Sequence, residues 1–116
     1  MAITFSKINL SGSTNGRPVV VTGVSATGQV IHISTSQVDE VWLYAHNNAT
    51  YAARLTVEYG GTATGDNLTF DIPAVGAGPV LIVPGFLLTA SLSARAYATV
   101  ASVVALSGFV NRISVT

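Results

Sequence analysis

The sequence predicts an all-β protein of one domain, with about eight or nine antiparallel strands in a sandwich or barrel. Three observations carry this. No stretch of about ten residues combines helical spacing with good helix formers. β-Branched and aromatic residues recur instead in short alternating runs, the period of a strand with one buried face. Turn chemistry separates those runs every ~8–12 residues: SGSTNGRP, GVSATG, HNNAT, GGTATGDN, PAVGAGP and PGF.

The strands follow in order. Ile3–Leu10 (ITFSKINL) alternates loosely and precedes a long polar loop, so residues 1–10 are read as a strand or an extended N-terminal arm. Pro18–Thr22 and Gln29–Ser34 are short β-branched runs on either side of GVSATG. In Val38–His46, Trp42, Tyr44 and His46 share one side while Val41, Leu43 and Ala45 share the other. Apolar on both faces, this strand is expected at a sheet centre or beneath a partner subunit. In Ala52–Tyr59, Leu55, Val57 and Tyr59 oppose Arg54, Thr56 and Glu58, which predicts one buried and one wet face. Leu68–Ile72 alternates up to Pro73, and Val80–Val83 is an apolar run that Pro84-Gly85 is expected to close. Ser91–Ala98 and Ser102–Val110 complete the set. The expected core comprises Val41, Leu43, Leu55, Val57, Ile72, Leu92, Val104 and Leu106.

Composition excludes several functions. Among 116 residues there is no cysteine, hence no disulfide, thiolate metal site or cysteine nucleophile. Only 9% of residues are charged, against about 25% in an average domain. Lys7, Arg17, Arg54, Arg95 and Arg112 are scattered and balanced by Asp39, Glu40, Glu58, Asp66 and Asp71. A nucleic-acid partner needs a clustered basic patch, so none is expected. The longest apolar run, Val80–Leu88, is about half a membrane span and is interrupted by Pro84-Gly85, so no membrane partner is expected either. The opening MAITFSKINL lacks the basic and continuously apolar regions of a leader, which points to synthesis in a cytoplasm. With 49% apolar residues and zero net charge, the surface suits close contact with neighbours.

Motifs of chemistry are incomplete. Gly60 and Gly65 have phosphate-loop spacing, but Asp66 and Asn67 occupy the places of the required Lys and Ser/Thr, and a strand follows instead of a helix. His32 and Ser34 share a strand face without a third orienting residue in view, GVSAT misses the nucleophile-elbow pattern, and His46 adjoins a turn. The two histidines lack metal-ligand spacing, and Asp66, Asp71 and Asp39-Glu40 lack a calcium-ligand ladder. No enzyme activity, cofactor or metal is therefore expected. Trp42, Tyr44, Tyr59 and Tyr97 are read as core or interface, with a shallow sugar-stacking surface as the alternative.

From Ser11 to Ile113 the chain resembles small virion structural proteins of tailed bacteriophages. The stretches that carry the resemblance are STNGRPVVV, IHIS leading to VDEVWLYAHN, LTVEYGGT, VLIVPGFLL, RAYA and GFVNRI. It implies a β-sandwich of jelly-roll type acting as a capsid decoration (cement) protein. The partners it implies are the major capsid protein and further copies of the chain, preferably as a trimer, on the outside of an icosahedral head. Ile3, Phe5, Lys7, Arg17, Trp42, Tyr44 and Arg112 are the candidate interface residues. The alternative function is a small carbohydrate- or receptor-binding β-sandwich of a phage tail.

Overall fold

The structure, a computed structural model, describes residues 2–115. Nine strands follow one another: β1 (Ile3–Ile8), β2 (Val19–Val20), β3 (Gln29–Ile33), β4 (Val38–Asn47), β5 (Ala53–Tyr59), β6 (Asn67–Ile72), β7 (Val80–Leu88), β8 (Ser93–Ala98) and β9 (Val104–Val115). Their pairing is nested. β5 and β6 form a hairpin closed by the GGTATGDN connection, which contains a 3₁₀ turn at Thr64–Asp66. Outward from that tip, β4 pairs with β7, β3 with β8, and β1 with β9, all antiparallel. Successive pairs alternate between two layers, so one long ribbon is rolled into a sandwich of orders β1-β9-β4-β7 and β3-β8-β5-β6. This is the jelly-roll solution to burying two half-apolar sheets against each other. The glycine-rich stretch is thus the turn at the ribbon's tip.

β9 has the longest run and gives one edge to β4, the other first to β2 and then to β1. The opening segment is accordingly an edge strand of the five-stranded sheet, and every residue from Ile3 to Lys7 is exposed. Between the layers, Val41, Leu43 and Ala45 of β4 meet Leu55 and Val57 of β5, Ile72, Val83, and Leu106 and Val110 of β9. β8 contributes Ala94, Ala96 and Ala98, small side chains that let this central strand lie close to the facing sheet.

Three sequence expectations are corrected. The run predicted to stop at Val83 continues through Pro84-Gly85 to Leu88. β7 is an edge strand, where a missing N–H is tolerated, and register shifts opposite Val41–Trp42 and Leu43–Tyr44 absorb the irregularity. Gly85 has φ +78°, and a Cβ there would lie 2.9 Å from the Trp42 ring, so the position requires glycine. Leu92 is not core: it closes the Thr89–Leu92 turn before β8 and is 46% exposed. Thr56 and Glu58 are buried on the face expected to be wet. There the Gly28 N–H donates to Glu58 Oε1 at 2.7 Å, and Arg95, opposite Glu58 in the register, reaches the Gly28 carbonyl.

The core assignment predicts that Leu43→Ala costs about 2–5 kcal/mol in urea denaturation. Leu92→Ala should stay within about 0.5 kcal/mol of the parent.

Candidate functional site

In antiparallel pairs, residues directly opposite one another project to the same face. The outer face of the five-stranded sheet therefore reads as rows: Phe5–Ile113–Val38, Lys7–Asn111–Glu40–Leu87, Phe109–Trp42–Pro84 and Ser107–Tyr44–Leu81. Side-chain contacts agree with the rows. Trp42 and Phe109 stack with centroids 6.1 Å apart, and Lys7 Nζ lies 4.6 Å from the centre of the Phe109 ring. The Trp42 indole N–H and the Asn111 amide both donate to Glu40 Oε1, at 2.6 and 3.1 Å. Those two bonds, Trp42 first, hold the Glu40 carboxyl below its usual range, so it is anionic at neutral pH. Lys7 and Glu40 are the charged residues of this face. Phe5 on the β1 edge is 75% and Leu87 on the β7 edge 60% exposed, so both edges of this face leave large apolar side chains in water. Phe5, Ser6, Lys7, Glu40, Asn111 and Ile113 also line a shallow depression between β1 and β4.

The opposite outer face is different in kind. On the four-stranded sheet the rows are Asn67–Glu58–Arg95, Thr69–Thr56–Tyr97 and Asp71–Arg54. Arg54 Nε donates to Asp71 at 2.9 Å, with both side chains mostly in water. One layer of the sandwich is polar outside and the other is apolar.

Of the seven candidate interface residues, five (Ile3, Phe5, Lys7, Trp42 and Tyr44) fall on the apolar face. Arg17 is exposed in the loop between β1 and β2. Arg112 is corrected: paired with Asp39 across β9 and β4, it points between the sheets and forms an ion pair within the chain. Asn111 and Ile113 lie beyond the strand end expected at Val110, and Phe109, inside that strand, was given no face. The alternation in GFVNRI was the available signal. The four aromatics considered for sugar stacking are separated: Trp42 and Tyr44 on one outer face, Tyr97 on the other, and Tyr59 between the layers, bonded to the Phe86 carbonyl.

Between the sheets lies a polar cluster. Arg112 clamps Asp39 through Nε to Oδ1 at 2.7 Å and Nη2 to Oδ2 at 2.9 Å. His32 Nε2 approaches Oδ2 at 2.7 Å, while its Nδ1 is met by the Ser11 N–H at 3.1 Å and the Ser11 hydroxyl at 2.9 Å. A backbone N–H on Nδ1 fixes the tautomer: Nδ1 accepts and Nε2–H donates to Asp39. The orienting partner not seen for His32 in the sequence thus exists, and the serine beside it is Ser11. Ser34 instead donates to the Thr89 and Leu92 carbonyls. A hydrolytic triad would need an oxyanion donor near its serine, but the Ser11 N–H is committed to the imidazole. The bidentate Arg112 neutralises the carboxylate that would support an imidazolium. Chemically, the cluster ties β3 to β4 and β9.

Burial alone would raise the Asp39 carboxyl. The hydrogen bonds from Arg112 and His32, together with the charge of Arg112, outweigh it and hold the group below its usual value. Burial, assisted by the charge of Asp39, pushes the Tyr59 phenol up. Among the described residues no group of three or more histidines and carboxylates is placed to hold a metal ion, and no helix is long and apolar enough to cross a membrane. Comparison with protein-family models, with curated proteins and with solved structures gives no match to this chain.

Removing one partner of a buried pair leaves the other uncompensated, so Arg112→Ala should cost about 3–5 kcal/mol in chemical denaturation. A carboxyl lowered in the folded state stabilises above its unfolded value, about pH 3.9. That stability should be lost as pH falls through the lower folded value, because the unfolded chain then binds more protons. The acid loss should be smaller in Asp39→Asn, measured as thermal midpoint against pH.

Proposed function

We propose that this protein is a non-enzymatic structural component of a bacteriophage particle, a capsid decoration (cement) protein. In this reading it binds the major capsid protein as a homo-oligomer and stabilises the head lattice. One observation carries the proposal: the sandwich has one polar outer face and one apolar, nearly uncharged outer face. A monomer in water gains nothing from such a face, whereas an assembled subunit buries it. Many identical weak contacts on a lattice then act together, so no single one needs to be strong. The resemblance to phage virion proteins supports the setting, since its stretches form strands and turns of the jelly roll and supply Trp42, Tyr44 and Phe109 to the apolar face. A symmetric homo-oligomer matches the symmetric junctions of a head. The separated aromatics count against the sugar-binding alternative.

Quantitative mass spectrometry of purified particles tests the role. The expected copy number is comparable with that of the major capsid protein, and heads lacking the protein should rupture at lower temperature. A few copies per particle would move the protein to the tail or portal and defeat the decoration reading.

A further inference from the structure

We infer that the apolar outer face of the five-stranded sheet is covered by a second copy of this chain, related by a two-fold axis running along β9. This rests on the reading of that face as an assembly surface and adds the identity of its occupant. Lys7, Asn111 and Glu40 form one row across β1, β9 and β4. Adjacent strands are ~4.8 Å apart, so the backbones of Lys7 and Glu40 flank β9 at equal distances, roughly 10 Å from each other. A two-fold axis along β9, lying in the plane between two such faces, exchanges the flanks. It brings Lys7 opposite the partner's Glu40 and Glu40 opposite the partner's Lys7, with Phe109 and Ile113 meeting their own counterparts.

Nothing among the described residues neutralises either charge. Among the described residues Lys7 rests on the Phe109 ring without an ion pair, and the hydrogen bonds of Glu40 fall on Oε1, leaving Oε2 to a partner. Self-complementary charge about a line is the signature of an isologous contact. A three-fold contact joins two different patches and makes no use of the mirrored spacing. The extent fits a weak, concentration-dependent association. With the axis on β9, β1, β9 and β4 are covered and β7 overhangs, so three strands at ~4.8 Å and about eight residues at ~3.3 Å give roughly 400 Å² per copy, or about 800 Å² in all.

The test is charge reversal read by light scattering across a dilution series. The parent chain should be a dimer or an even multiple of one. Lys7→Glu and Glu40→Lys, each alone, set like charges opposite one another and should weaken association at least tenfold. Mixed in equal amounts, the two variants should associate with each other, because each then meets its opposite. Glu40→Gln, which keeps an acceptor for Trp42 and Asn111, should weaken association by a smaller factor and covers a folding defect in Glu40→Lys. Circular dichroism should be unchanged in the variants compared. A parent trimer, or association indifferent to either reversal, would overturn the two-fold inference while leaving a homo-oligomeric decoration protein standing. A parent monomer at all concentrations would remove the two-fold inference, and the particle copy number would then decide the decoration role independently.

Discussion

A buried carboxylate governs this sandwich. Asp39 has no solvent exposure, and an ionised group in that position is tolerable only when its oxygens are fully partnered. Arg112 from β9 and His32 from β3 supply the partners, so the cluster stitches the two sheets together at one place. It also fixes the register of β9 against β4. With Arg112 turned inward to Asp39, its neighbours Asn111 and Ile113 must turn outward, and Phe109 follows two residues on. A slip of one residue would send those side chains inside and put Val110 and Leu106 in water. The interior ion pair therefore determines which residues make up the exterior face.

That face gives meaning to the low charge of the chain. Charged residues are not spread evenly over the molecule. Arg54, Asp71, Glu58 and Arg95 lie on the four-stranded layer, while Asp39 and Arg112 neutralise each other between the layers. The five-stranded layer keeps Lys7 and Glu40, one on each side of β9. Trp42 links the two functions of its strand. Its backbone belongs to the central ladder, and its ring stacks on Phe109, bonds Glu40 and lies over Gly85, where no side chain fits.

Much of the fold was legible because strands and turns are written locally. All nine strands were predicted in the right order, and the alternation in VDEVWLYAHN named its buried side correctly. What local pattern cannot express is pairing between distant segments. The nesting that makes GGTATGDN the tip of a rolled ribbon depends on contacts such as Ile3 with Val115, almost the full chain apart. For the same reason Arg112 looked like a free surface cation, Glu58 like a solvated carboxylate, and His32 like a histidine without a partner. Arg112 and Glu58 are explained by neighbours far away in sequence, Asp39 and the Gly28 N–H, and His32 by Ser11 together with Asp39, seven residues on but in the other sheet. Five candidate interface residues did converge, because side-chain alternation within β1 and β4 was readable and the β9 register aligned the two strands.

The chain carries its own reporter of the central claim, that the apolar outer face is buried in the assembled state. Trp42 is the sole tryptophan and lies within that face, half-buried in the isolated subunit. Its emission and acrylamide quenching can be compared between dilute protein and the same protein concentrated into its assembled state. Burial of the face predicts a shift to shorter wavelength and reduced quenching on assembly. Identical emission and quenching in both states would contradict it.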